Sequence, residues 1–149
     1  MSLLDEALAS AAEEVTPYVD VDVELGGKIL PLRFYREDGM KWAEITAYCP
    51  PRLRSPLDKN YGYNYQAAAR LAAPSTGRLL EVDTVDNAEE QTPGEQLPDE
   101  KWDELFAALT GKHVEMICSA VWQVNAYDAQ ERLAAAKKAL ARDSKRKSA

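Results

Sequence analysis

Residues 19–35, VDVDVELGGKILPLRFY, constrain the fold more than any other stretch of the chain. Val19, Val21, Val23 and Leu25 alternate with Asp20, Asp22 and Glu24, the period-two pattern of a strand with one buried and one wet face. Gly26-Gly27 supplies the positive φ values that a two-residue primed hairpin turn requires. Folding about that turn predicts the pairs Leu25–Lys28, Val23–Leu30, Val21–Leu32 and Val19–Phe34, with Asp20 opposite Arg33 on the wet face. Pro31 then takes a non-hydrogen-bonded position, which is tolerated only if the second strand is an edge there. Two strands alone are marginal in water, so the apolar face must lie on helices.

Helical signals surround the hairpin. Residues 2–14 read as a short acidic helix, with Ser2 as N-cap and Leu4, Ala7, Leu8 and Ala11 as a weak apolar stripe, closed before Pro17. Asp38 is placed to cap a helix with Trp42, Ile45 and Cys49 on one face, stopped at Pro50-Pro51. Trp42 is the residue expected to pack onto Val21 and Leu32. Residues 50–62 read as loop. A small helix follows at about Asn64–Ala73, with Tyr65, Ala68, Ala69 and Ala72 on one face, ended by Pro74. Tyr61, Tyr63 and Tyr65 fit packing at that helix start better than a stacking platform for bases.

From Glu81 to Glu104 ten carboxylates face one cation, Lys101. Residues 81–98 are therefore predicted to be a solvated acidic loop. The regular oxygen spacing of a calcium loop is missing, so no metal is expected. The strongest helical stripe opens at Pro98 or Asp99: Trp102, Leu105, Phe106 and Leu109, with Gly111 as its stop. A further helix, about Lys112–Ala126, carries Val114, Ile117, Val121 and Val124 with Trp122 at its flank, and the two are expected to form an αα-hairpin. His113 at the junction reads as a helix-start residue. The last helix, about Ala129–Arg142, has a thin seam of Leu133, Ala136 and Leu140, and from Arg132 onward seven cations stand against one acid. The whole predicts one α+β domain over residues 1–149, mostly helical, with an N-terminal β-hairpin packed on helices. Its parts are a 1–17 helix, an 18–49 hairpin–helix unit, a 50–80 loop and small helix, an 81–98 loop, a 99–142 helical part and a 143–149 basic tail.

Composition narrows the function. The 149 residues carry a net charge of −7, which disfavours a general nucleic-acid binder. There is no membrane-length apolar run and no secretory leader, which predicts a cytoplasmic protein. Cys49 and Cys118 do not make a disulfide framework and read as buried helix-face positions. No nucleotide loop, zinc motif, nucleophile elbow or CxxC is present, and the carboxylates lie in polar runs with no apolar wall to raise a pKa. The reading is a protein that is not an enzyme and needs no cofactor.

In its order of parts the chain resembles the tail assembly chaperones of long, non-contractile-tailed phages of actinobacteria. The resemblance rests on the strand–GG–strand followed by Arg36, Asp38-Gly39 and Trp42, and on Tyr61-Gly62-Tyr63-Asn64. It continues in Ala73-Pro74-Ser75-Thr76-Gly77 and in the helix from Trp102 to Phe106, and spans roughly residues 5–145. The acidic stretch 86–100 matches least. The resemblance implies a binding protein of the host cytoplasm that coats the tape measure protein, keeps it soluble, helps recruit tail tube subunits and leaves before the virion is complete. A longer product made by a programmed frameshift is often present in such systems. Partner contacts are then expected at Trp102, Leu105, Phe106 and Leu109, at Val114, Ile117, Val121 and Trp122, and at Leu133, Lys137, Lys138 and Leu140, with a homo-oligomer left open. The alternatives are a neck or tail-completion subunit retained in the virion and a regulatory nucleic-acid binder acting through the basic tail.

Overall fold

The structure, a computed structural model, describes residues 2–85 and 88–147. Its strands are β1 (Tyr18–Leu25), β2 (Lys28–Tyr35), β3 (Gly77–Val85) and β4 (Ala88–Pro93), and its helices are α1 (Leu3–Glu13), α2 (Gly39–Tyr48), α3 (Pro56–Tyr61), α4 (Tyr65–Thr76), α5 (Asp99–Ala108), α6 (Gly111–Trp122) and α7 (Asp128–Lys147). The class is α+β, as expected. No helix among the described residues is long and apolar enough to cross a membrane.

The hairpin register is the predicted one, from Leu25↔Lys28 to Val19↔Phe34. Gly26 and Gly27 hold φ of 61° and 77°, and Arg33 clasps Asp20 at 2.8 and 3.1 Å. A Cβ at Gly26 would meet no atom within 4 Å, so a substitution there isolates the backbone cost. Gly26→Val is expected to lower stability by about 1–3 kcal/mol through the left-handed conformation alone, read as a shift of the urea midpoint.

The sheet is larger than predicted. It runs β1-β2-β3-β4, all antiparallel. The expected acidic loop 81–98 is in large part strand. The alternation of Leu80 and Val82 with Glu81 and Asp83 is the reason, a period-two pattern hidden inside a high count of carboxylates. Residues 86–87, between β3 and β4, and the last two residues of the expected tail lie outside the described residues. Pairing of β2 with β3 covers only Leu32↔Leu79 to Phe34↔Gly77. It stops one residue short of Pro31, which has no N–H to give to β3, so β2 is indeed an edge at that residue.

Val23, Leu32 and Phe34 are buried on the inner sheet face, against α4 and α6. The buried face of α4 is Tyr65 with Ala68, Ala69, Ala72 and Ala73, and these small side chains let α6 lie close across it. Several expectations need correction here. Helix α4 continues through Pro74 to Thr76, because a proline near a helix end removes a single donor there. Residues 56–61, expected as loop, form α3, with Ser55 as N-cap and Pro56 at its first position. Gly111 opens α6 instead of stopping α5. Leu109 and Thr110 are extended, with ψ of 152° and 155°, and turn α6 away from α5. The two do not form an αα-hairpin, and each packs on α4. Trp42 is half-buried against Tyr63, ring centroids 5.6 Å apart, because α2 packs on α4. The tryptophan that meets the sheet is Trp102, against Phe34 at 5.9 Å. Residues 123–127 form a π-helical turn that carries α6 straight into α7, where a break between helices was expected. Its Asn125 donates from Nδ2 to the Val121 carbonyl and accepts from Glu37 N at 2.8 Å, which ties the β2–α2 junction to this turn.

Candidate functional site

Where β2 and β3 part company, the sheet leaves a gap. β2 stays with β1 toward the turn, and β3 leaves with β4. Gly94 extends the β3–β4 pairing by one residue: its N donates to Leu79 O at 2.9 Å, and a Cβ on Gly94 would sit 2.8 Å from the same oxygen. Past Gly94, Leu97 and then α5 come over the gap. The result is an open groove of about 320 Å³ lined by Leu25, Leu30 and Leu32 of the hairpin, Leu79 of β3, Leu97, and Leu105 and Ala108 of α5. Lys101 and Glu104 form its rim and pair at 3.1 Å. Leu32 is buried, while Leu25, Leu30, Leu79, Leu97 and Leu105 are half-buried, so each shows apolar surface to solvent.

Arg70 sets the position of α5. Its guanidinium reaches from α4 to Asp103 at 2.7 Å, to the Asp99 carboxylate at 3.1 Å and to the Asp99 carbonyl at 2.8 Å. Those bonds to its carboxylates hold the Arg70 pKa above its ordinary value and the Asp103 pKa below its own. The first turn of α5 is thereby anchored, and Leu105, two turns on, is delivered to the groove.

The predicted contact residues divide by burial. Trp102, Leu109, Ile117 and Val121 belong to the core, where a partner does not reach them in this conformation. Leu105, Phe106, Val114 and Trp122 are half-buried and pack against the core, and only Leu105 of these lines the groove. Leu133, Lys137, Lys138 and Leu140 are exposed along α7. Leu25, Leu30, Leu79 and Leu97 were not anticipated as surface. The inward face of the strand pattern marked the first two, but nothing in the pattern says that a neighbouring strand will diverge.

The remaining chemistry is structural in its placement. Burial raises the Cys49 thiol and pushes that of Cys118 up to about 12, so neither is a thiolate near neutral pH. Tyr61 contacts both Tyr63 and Tyr65, Tyr63 reaches Trp42 and Tyr61 reaches Trp122, which is the packing role expected of them. Burial raises the pKa of all three. Among the described residues no three His, Cys, Asp or Glu side chains converge to hold a metal ion. No protein-family model, curated protein or solved structure matches the chain.

Proposed function

We propose that this chain is a tail assembly chaperone of a long-tailed phage, which binds the tape measure protein in the host cytoplasm, keeps it soluble and helps recruit tail tube subunits. The leucine-lined groove between the hairpin and α5 is the observation that carries the reading. An aggregation-prone helix presents an apolar stripe at steps of three and four, and an open aliphatic groove is the complement of such a stripe. A volume of about 320 Å³ suits a few inserted side chains of a helix laid across the groove. The Lys101–Glu104 rim offers both signs of charge to the flanks of that helix. The net charge of −7 on the chain supplies the repulsion that keeps a loaded complex apart from its neighbours.

Co-expression with the tape measure protein of the same genome tests this. Soluble tape measure protein that co-purifies with the chain is the expected result. Leu105→Glu places a charge in the groove and is expected to weaken the complex by about 10–100-fold while circular dichroism stays unchanged. Tape measure protein that remains insoluble, with this chain recovered in purified particles, would overturn the proposal in favour of a virion subunit.

A further inference from the structure

Two helices of this chain stand apart from its core. Every described residue of α1 is exposed, with Leu4 at 67 % and Leu8 at 60 %, and so is every residue of α7 from 129 to 146, with Leu133 at 57 % and Leu140 at 70 %. Both nevertheless carry an apolar stripe. On α1 it is Leu4, Leu8 and Ala11; on α7 it is Ala129, Leu133, Ala136 and Leu140, at steps of four, three and four. An 11-residue helix without tertiary support is marginal in water, so the stripe on α1 calls for a cover.

Charge selects the cover. Asp5, Glu6, Glu13 and Glu14 give α1 and its cap four carboxylates and no cation, whereas α7 has seven cations against three acids. Pairing α1 with α1 sets carboxylate on carboxylate, and pairing α7 with α7 sets two helices of net charge +4 against each other. Pairing α1 with α7 matches sign as well as stripe. The two helices already meet at their bases, where Arg132 Nη2 donates to both Glu14 oxygens at 3.1 Å, yet their stripes remain uncovered beyond that point.

We propose that the chain forms a two-fold dimer in which α1 of each copy lies antiparallel along α7 of the other. With the Glu14–Arg132 pair formed between copies, a common rise per residue brings Leu8 level with position 138, between Ala136 and Leu140 of the stripe. The acidic first turn of α1 then falls beside the basic last turns of α7, and the two helix dipoles run in opposite directions. Two-fold symmetry uses the contact twice, so a helix pair too small to hold alone becomes an interface. Neither helix lines the leucine groove, so the dimer stands or falls independently of the chaperone reading.

Sedimentation of the full chain at micromolar concentration in low salt is expected to give twice the 16.5 kDa of one copy, falling toward one copy in molar salt. The decisive variants reverse charge: R132E/K137E/K138E/R142E on α7, and E6K/E13K/E14K on α1. No residue of α1 is buried, and the substituted positions on α7 are exposed, so both variants are expected to retain the fold by circular dichroism. Each alone is expected to be monomeric, and an equimolar mixture is expected to regain the doubled mass, because each variant then meets opposite charge on its partner. A monomeric wild-type chain overturns the proposal. So does a variant that stays dimeric by itself, or a mixture that stays monomeric, which is the result if α1 closes on α7 of its own copy or if α7 serves a different protein.

Discussion

Trp102→Ala is expected to cost about 3–5 kcal/mol of unfolding free energy, a large part of what a domain of this size has to lose. The indole is fully buried where three elements meet. It lies against Phe34 of β2 at 5.9 Å and Phe106 of α5 at 6.4 Å, and its ring closes over Gly77 at the start of β3. A Cβ on Gly77 would come within 2.6 Å of that ring, so the strand backbone rests directly on the tryptophan. Removing the side chain leaves a cavity under the sheet that rigid strands cannot collapse to fill. The indole Nε1 is buried without an acceptor among the described residues, so Trp102→Phe removes an unmet donor along with some volume. The phenylalanine variant is therefore expected to fall well short of the alanine loss. Leu53→Ala, at a side chain open to solvent after α2, is expected to stay within about 0.5 kcal/mol of the parent. Urea denaturation of the three variants separates a core tryptophan from a contact tryptophan. A Trp102→Ala chain with parental stability and lost partner binding would reverse the assignment made here.

That contrast shows what the sequence makes legible. Residues 19–35 carried their whole answer locally: the alternation named the inner face, the two glycines set the turn, and the observed register follows pair by pair. The stripe of α5 was equally clear as a helix, but Trp102 and Leu105 look the same in it although one is sealed in the core and the other opens onto a groove. Burial depends on what covers a stripe, and the cover of α5 is α4, whose alanines make a faint signal. The clamp that seats α5 joins Arg70 to Asp99 and Asp103, residues 29 and 33 positions away, and no local pattern encodes such a distance. The groove is harder still to foresee. It exists because pairing of β2 with β3 ends beside Pro31, and the proline was readable while β3 was masked by its carboxylates. Helix α3 was missed for a different reason: three prolines in residues 50–62 suggested loop, although Ser55 followed by Pro56 is a helix-start pair.

Asp58, the residue that orders this same segment, is the second position where a large loss is expected. Its carboxylate is fully buried in α3 and accepts three bonds from Arg52: from the backbone N at 2.8 Å, from Nε at 2.8 Å and from Nη2 at 3.0 Å. Arg52 in turn reaches Gln66 Oε1 at 3.0 Å, so one carboxylate ties the chain after α2 to α3 and, through the arginine, to α4. Asp58→Ala is expected to cost about 3 kcal/mol, near the low end for breaking a buried ion pair, because the arginine left behind is half-exposed and regains water. The bonds from Arg52 hold the Asp58 pKa down at about 2, against a desolvation that opposes them, below the ordinary 3.8. With the folded value depressed, the unfolded chain takes up the proton first as the solution is acidified. The contribution of Asp58 is therefore complete above about pH 4 and is lost as the pH falls toward 2. Denaturant titrations of the parent and of Asp58→Asn at several values from pH 7 to pH 2 should show a wide gap at neutrality that narrows in acid. A gap that stays constant across that range would mean that the carboxylate charge is not what holds residues 52–66 together.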